Sequence, residues 1–144
     1  MNAAKVVELF AGCGGMSAGL LQAGFDVRLG VDFNASAIET YAYNHGHVGA
    51  RVLVADLRTL TADQIREQAR LGASRPDLVT GGPPCQPFSI VGKRLGLGDA
   101  RGDLIFEYVR LIRELEPHAF IFENVANFAQ IDGGTVASGL IQKL

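Results

Sequence analysis

Residues 77–89 read Asp77-Leu78-Val79-Thr80-Gly81-Gly82-Pro83-Pro84-Cys85-Gln86-Pro87-Phe88-Ser89. Asp77 to Thr80 is short, β-branched and closed by glycines, which reads as a buried strand. Prolines at 83, 84 and 87 fix φ and remove backbone donors, so neither a strand nor a helix continues through them. The chain must turn there, and the turn presents Cys85 at the carboxyl end of the strand. In open α/β sheets that edge is where ligands bind. A lone cysteine is ordinarily a small buried hydrophobe; a proline-stiffened loop at a ligand-binding edge makes this one a candidate nucleophile.

Outward from that loop the chain alternates strand and helix. Lys5 to Phe10 is an apolar strand, followed by the turn Ala11-Gly12-Cys13-Gly14-Gly15 and a helix to about Ala23. Asp26 to Val31 is a second strand ending at Asp32, then a helix spans Ala35 to Tyr43. Arg51 to Val54 is a third strand, ending at Asp56. Thr61-Ala62-Asp63-Gln64 has the capping-box pattern and opens a helix to about Leu71. After the cysteine loop, Leu104, Tyr108, Leu111, Ile112 and Leu115 recur with helical period, with Glu107, Arg110 and Glu114 on the other face. Ala119 to Phe122 is a fifth, wholly apolar strand running into Glu123-Asn124-Val125, and a last helix spans Thr135 to Leu144. Such alternation predicts a single α/β domain with a mostly parallel sheet and helices on both faces.

Composition bounds the function. A chain of 144 residues with 48% hydrophobic and 19% charged residues can build one real core. The net charge of −2 supplies no general basic field, so nucleic-acid binding would need a local patch. The loop from Ser89 to Gly102 offers one: it is long, rich in glycine, and carries Lys93, Arg94 and Arg101. The cysteines, Cys13 and Cys85, have no metal-ligand spacing, so no metal site is expected and reduced thiols are the default. No apolar run approaches a membrane span, and the reading is a cytoplasmic protein without membrane contact.

The first turn is not the dinucleotide fingerprint, because the third glycine of that pattern falls on Ser17. A looser glycine turn still brings backbone N–H groups close to a ligand without phosphates. Asp32, twenty residues beyond Gly12, is placed to accept from two ribose hydroxyls. Phe33 beside it can pack on a purine face, and Asp56 can accept from an exocyclic amine. Three such pieces on consecutive strand ends point to an adenosine-containing ligand without a pyrophosphate, which suits S-adenosylmethionine better than NAD.

Taken together these residues resemble the DNA cytosine-5-methyltransferase family. Glu8 to Gly15 is similar to its first signature, in which Asp often stands in place of Glu8, and Gly81 to Ser89 is similar to its proline-cysteine signature. Arg101-Gly102-Asp103-Leu104-Ile105-Phe106 and Glu123-Asn124-Val125 resemble two further signatures, in family order. The resemblance implies a Rossmann-like S-adenosylmethionine-dependent methyltransferase fold. It implies that Cys85 adds to cytosine C6, that Glu123 bonds N3 and the exocyclic amine, and that Asn124 helps hold the Cys85 loop. Phe10, Ala11, Gly12, Gly14, Asp32, Phe33, Asp56, Leu57, Pro84 and Leu104 would line the cofactor pocket. Ser89, Lys93, Arg94 and Arg101 would close over a flipped-out base and grip phosphates of double-stranded DNA, in the nucleoid of a prokaryote.

The family's pattern continues beyond what this chain matches. Nothing after Glu123-Asn124-Val125 resembles the Gln-Arg-Arg segment, the target-recognition domain or the last strands of the sheet. The resemblance therefore implies a fragment, or one half of a split enzyme completed by a second polypeptide, with Ala119 to Phe122 left as an apolar edge strand. A non-catalytic nucleotide-binding or regulatory domain, and an RNA cytosine methyltransferase of the same family, are the alternative readings.

Overall fold

The computed structural model describes residues 3–84 and 103–142. Five strands lie in one sheet: β1 (Lys5–Leu9), β2 (Asp26–Asp32), β3 (Arg51–Val54), β4 (Leu78–Gly81) and β5 (Ala119–Phe122). Their order across the sheet is β3-β2-β1-β4-β5, and every pairing is parallel. Among the described residues five α-helices accompany them: α1 (Gly15–Gln22), α2 (Ala35–His45), α3 (Ala62–Gln68), α4 (Asp103–Leu115) and α5 (Thr135–Ile141). The expected parallel α/β architecture is found. No helix among the described residues is long and apolar enough to cross a membrane.

The order has a consequence for ligand binding. The chain winds outward from β1 through β2 to β3, then returns to the other side of β1 for β4 and β5. The winding reverses between β1 and β4, so the loops after those two strands part and leave a crevice at the carboxyl edge. The glycine turn follows β1 and the proline-cysteine loop follows β4, one on each side.

Burial follows the pleat. Val7 and Leu9 of β1, with Leu29, Val31 and Val79, face a core shared with Ile65 of α3 and with Tyr108, Leu111 and Leu115 of α4. Val6, Val27 and Leu78 point the other way, against Leu20 of α1 and Tyr41 of α2. Both faces of the inner strands are thus dry, as a parallel sheet requires. The apolar edge strand is found too: Phe120 and Ile121 of β5 are 41% and 44% exposed.

Most boundaries fall within two residues of the sequence expectation, α2 for example running to His45 rather than Tyr43, and two segments differ more. The helix opened by Thr61 has its capping box, with Thr61 accepting from the Gln64 N–H and Gln64 accepting from the Thr61 N–H, but it stops at Gln68 rather than Leu71. Arg70 takes φ 52° and the Leu71 N–H turns back to the Arg66 carbonyl, a left-handed helix stop made by an arginine where glycine is usual. Residues Ala126–Gly134, unassigned from the sequence, form a 3₁₀ segment whose Phe128 packs on Ile105 and Val109 of α4. The last helix starts at Thr135 as expected and runs to Ile141.

Candidate active site

All five strands deliver a candidate residue to the same edge of the sheet, because parallel strands end together. Phe10 follows β1 with φ 56°, a left-handed conformation that costs a non-glycine residue about 1–2 kcal/mol. Strain of this kind persists only where neighbours enforce it, and such positions cluster at functional sites. Gly12 and Gly14 also have positive φ, 52° and 87°. The turn is closed by the Gly14 N–H donating to the Ala11 carbonyl at 2.9 Å.

Asp32, at the end of β2, ties this turn to the neighbouring strand. Its Oδ2 accepts the Gly12 N–H at 2.9 Å, and its Oδ1 accepts the Asn34 N–H, also at 2.9 Å. A carboxylate has about four acceptor positions, so each oxygen retains one for a ligand hydroxyl. Phe33 is 73% exposed, an open aromatic face beside that carboxylate.

Asp56, after β3, is engaged more fully. It accepts the Arg58 N–H and takes a two-pronged contact from the Arg58 guanidinium, with Nη2 at 2.6 Å from Oδ2. Those bonds hold its carboxyl below the usual carboxylate range. Leu57 follows, with its side chain 3% exposed in the core, which leaves only its backbone to a ligand. The Leu57 and Leu60 carbonyls both accept from Nη2 of Arg110 at 3.0 Å, so an arginine expected on the outer face of α4 instead clamps this turn. Ala11 is likewise nearly buried, while Leu104, in the first turn of α4, is partly exposed.

On the other side of the crevice β4 and β5 end side by side, with Gly81 in register with Phe122. The Glu123 N–H donates to the Gly81 carbonyl at 2.9 Å. Gly82 lies so close to the Glu123 carboxylate that an added Cβ would sit 2.8 Å from Oε2. Asn124 Nδ2 donates to the Pro83 carbonyl at 3.0 Å, so the segment after β5 grips the first proline of the cysteine loop. Pro84 is exposed. Cys85, Ser89, Lys93, Arg94 and Arg101 lie outside the described residues. Cys13, within the glycine turn, is exposed and free, and no cluster that could hold a metal occurs among the described residues.

Directly beneath the turn lies a polar cluster that the sequence reading passed over. Glu8 of β1 is 3% exposed, Ser17 of α1 and Tyr41 of α2 are fully buried, and His45 of α2 is 7% exposed. The Ser17 hydroxyl bonds Glu8 Oε2 and lies 2.6 Å from the Tyr41 hydroxyl, while His45 Nε2 is 2.9 Å from the Gly14 carbonyl. Burial pushes the Glu8 carboxyl up to about 7, against the opposing pull of the Ser17 hydroxyl and backbone N–H. The available signal was a carboxylate inside the apolar run Val6-Val7-Glu8-Leu9.

The sequence profile of the C-5 cytosine-specific DNA methylase family matches residues 4–144. The chain belongs to that family. It is 40% identical over 121 residues to the type II methyltransferase M.AquIA of Picosynechococcus sp., spanning 84% of this chain and 48% of that one. It is 40% identical over 140 residues to the type II methyltransferase M.PspPI of Psychrobacter sp., spanning 97% of this chain and 32% of that one. The chain thus spans half or less of the length of these two relatives. A solved E. coli prophage protein, assigned as a DNA modification methyltransferase, superimposes with a TM-score of 0.81 at 32% identity. It covers 99% of this chain and 38% of its own. The chain therefore has the Rossmann-like fold of S-adenosylmethionine-dependent methyltransferases, as the signatures implied.

Proposed function

We propose that the protein carrying this chain transfers a methyl group from S-adenosylmethionine to C5 of cytosine in double-stranded DNA. The observation that supports this reading above the others is the meeting of two half-sites across the sheet's point of reversal. The glycine turn and Asp32 lie on one side, Glu123 and Asn124 against the proline loop on the other.

The residues on the cofactor side suit an unphosphorylated nucleoside. Carboxylates end β2 and β3, an exposed aromatic ring stands beside the first, and Arg58 is engaged with Asp56 rather than aimed at a ligand. Asp32 would take the ribose hydroxyls, Phe33 would stack on the purine, and Asp56 would accept the exocyclic amine while keeping its contact with Arg58. When bound, S-adenosylmethionine supplies an electrophilic methyl group on a sulfonium. Pro84, Leu104 and the backbone of Ala11 and Leu57 would close the pocket.

On the substrate side, cytosine C5 is a poor nucleophile until C6 bears a substituent, which is the reason for a thiolate. Cys85 Sγ would form a bond to C6, and C5 would then displace the methyl group from sulfur, releasing a neutral thioether. Loss of the C5 proton to a base and departure of Sγ from C6 would restore the ring and return the thiolate. Glu123 would hold N3 and the exocyclic amine, stabilising the charge that addition places on the ring. Asn124, through Pro83, would keep the loop in place. The base must leave the duplex for this chemistry, and Ser89, Lys93, Arg94 and Arg101 would close on it and on the flanking phosphates. Choice of DNA sequence is assigned to the portion of the relatives that this chain does not span, in the same polypeptide or a second one.

Covalent trapping tests the reading. The complete protein, or this chain with the complementing portion, incubated with S-adenosylmethionine and duplex DNA containing 5-fluorocytosine should form a complex stable to denaturant. Cys85→Ser should abolish it. A complex that survives that substitution would remove Cys85 from the reaction.

A further inference from the structure

The buried cluster under the glycine turn has more structure than a core needs. Tyr41 and His45 lie one helical turn apart on α2, so both reach the same place, and their rings meet edge to face at 4.9 Å. His45 Nε2 must carry a proton, since the Gly14 carbonyl only accepts. The Ser17 hydroxyl has one proton for two neighbours. When it donates to Glu8, the Tyr41 hydroxyl donates to Ser17, and a single directed chain runs from α2 through α1 to β1. The burial that pushes Glu8 up to about 7 also pushes Tyr41 up to about 12, so the phenol keeps its proton throughout.

We propose that Glu8 is a positioning residue for the cofactor, resting on the methyl-donor reading above. As the neutral acid it anchors the chain Tyr41–Ser17–Glu8, and that chain, with His45 on the Gly14 carbonyl, sets the shape of the turn over which the cofactor lies. Ser17 is in the first turn of α1, two residues after Gly15, so any shift that draws Ser17 reaches Gly14 and Gly12 within a few residues. An ionised Glu8, buried with no cation paired to it among the described residues, demands more donors than Ser17 gives. It must draw either water or the neighbouring chain toward itself, and the turn is the nearest part able to yield.

The groups facing this carboxyl come from four elements. α1 contributes Ser17 and α2 contributes Tyr41 and His45. Asp32, at the end of β2, faces the turn through Gly12. In β4, Thr80 is in register with Glu8, and its buried Oγ1 has no hydrogen-bond partner among the described residues. His45 Nε2 is committed to the Gly14 carbonyl rather than to this carboxyl. A pH effect on the turn is therefore assigned to Glu8.

Two measurements test this. The first is hydrogen exchange of the amides of residues 12–17 without ligand, corrected for intrinsic rates, between pH 5.5 and 8.5. Protection should fall about tenfold across pH 7 in the wild-type chain and stay level in Glu8→Gln, which keeps the shape of the neutral acid. The second is calorimetric binding of S-adenosylhomocysteine, whose uncharged sulfur avoids a direct electrostatic effect on Glu8. Wild-type affinity should weaken about tenfold over the same range, equivalent to about one unit of change in the Glu8 pKa on binding. Glu8→Gln should hold the low-pH affinity throughout, and Ser17→Ala should weaken binding at every pH. Matching pH profiles in wild type and Glu8→Gln, or a Ser17→Ala chain indistinguishable from wild type, would overturn the proposal. Absence of binding by wild type at every pH would instead refute the methyl-donor reading, while the exchange data would still decide whether Glu8 shapes the turn.

Discussion

Replacing Gly14 by alanine should destabilise the fold far more than replacing Gly12, two residues away in the same turn. Both have positive φ, 87° and 52°, so both variants bear a left-handed cost of about 1–2 kcal/mol. Their surroundings differ. An added Cβ at Gly12 meets nothing within 4 Å, whereas at Gly14 it would stand 2.5 Å from Cδ2 and Nε2 of His45 and 2.8 Å from Cδ2 of Tyr41. Neither ring has room to retreat: Tyr41 is fully buried and bonded to Ser17, and His45 is bonded to Gly14 itself. Overpacking at such a place costs about 1–3 kcal/mol. Gly14→Ala should therefore cost about 2–5 kcal/mol in total and Gly12→Ala about 1–2. Urea unfolding followed by far-ultraviolet circular dichroism measures both. A double-mutant cycle with His45→Ala should recover the part of the packing cost that falls on His45 and leave the Tyr41 and backbone parts. If Gly14→Ala proves no more costly than Gly12→Ala, the cluster does not support the turn as described.

Two further outcomes are expected. Glu8 is raised from an ordinary value of 4.5 to about 7 in the folded chain, so the folded state holds a proton that the unfolded state releases first. Its contribution to stability is complete below about pH 4.5 and is lost as pH rises through 7, about 3 kcal/mol at most. Urea unfolding at pH 5 and pH 8 should show this loss in wild type and not in Glu8→Gln; an equal loss in both would assign it to other groups. Asp32→Ala removes the acceptor for two backbone N–H groups and, on the proposed reading, for two ribose hydroxyls. Charge-assisted bonds contribute about 1.5–3 kcal/mol each, so affinity for S-adenosylmethionine in calorimetry should fall at least about tenfold. Unchanged affinity would remove Asp32 from the ribose.

What the amino-acid order determined here is whatever depends on near neighbours. Strand and helix alternate legibly because short apolar runs and period 3.6 are written within ten residues, and the capping box at Thr61 is local chemistry. The parallel sheet follows from that alternation, and the signatures around Cys85 and Glu123 carry the family. What only the tertiary structure decided are pairings across long separations. Asn124 reaches Pro83 from 41 positions away, Arg110 reaches Leu57 from 53, and His45 reaches Gly14 from 31. Each joins the end of one element to the flank of another, so its geometry exists only after the strands take the order β3-β2-β1-β4-β5. Glu8 shows the difference most plainly. As a letter it is a carboxylate misplaced in an apolar strand. Once Ser17 and Tyr41 close over it, burial raises its carboxyl to about 7.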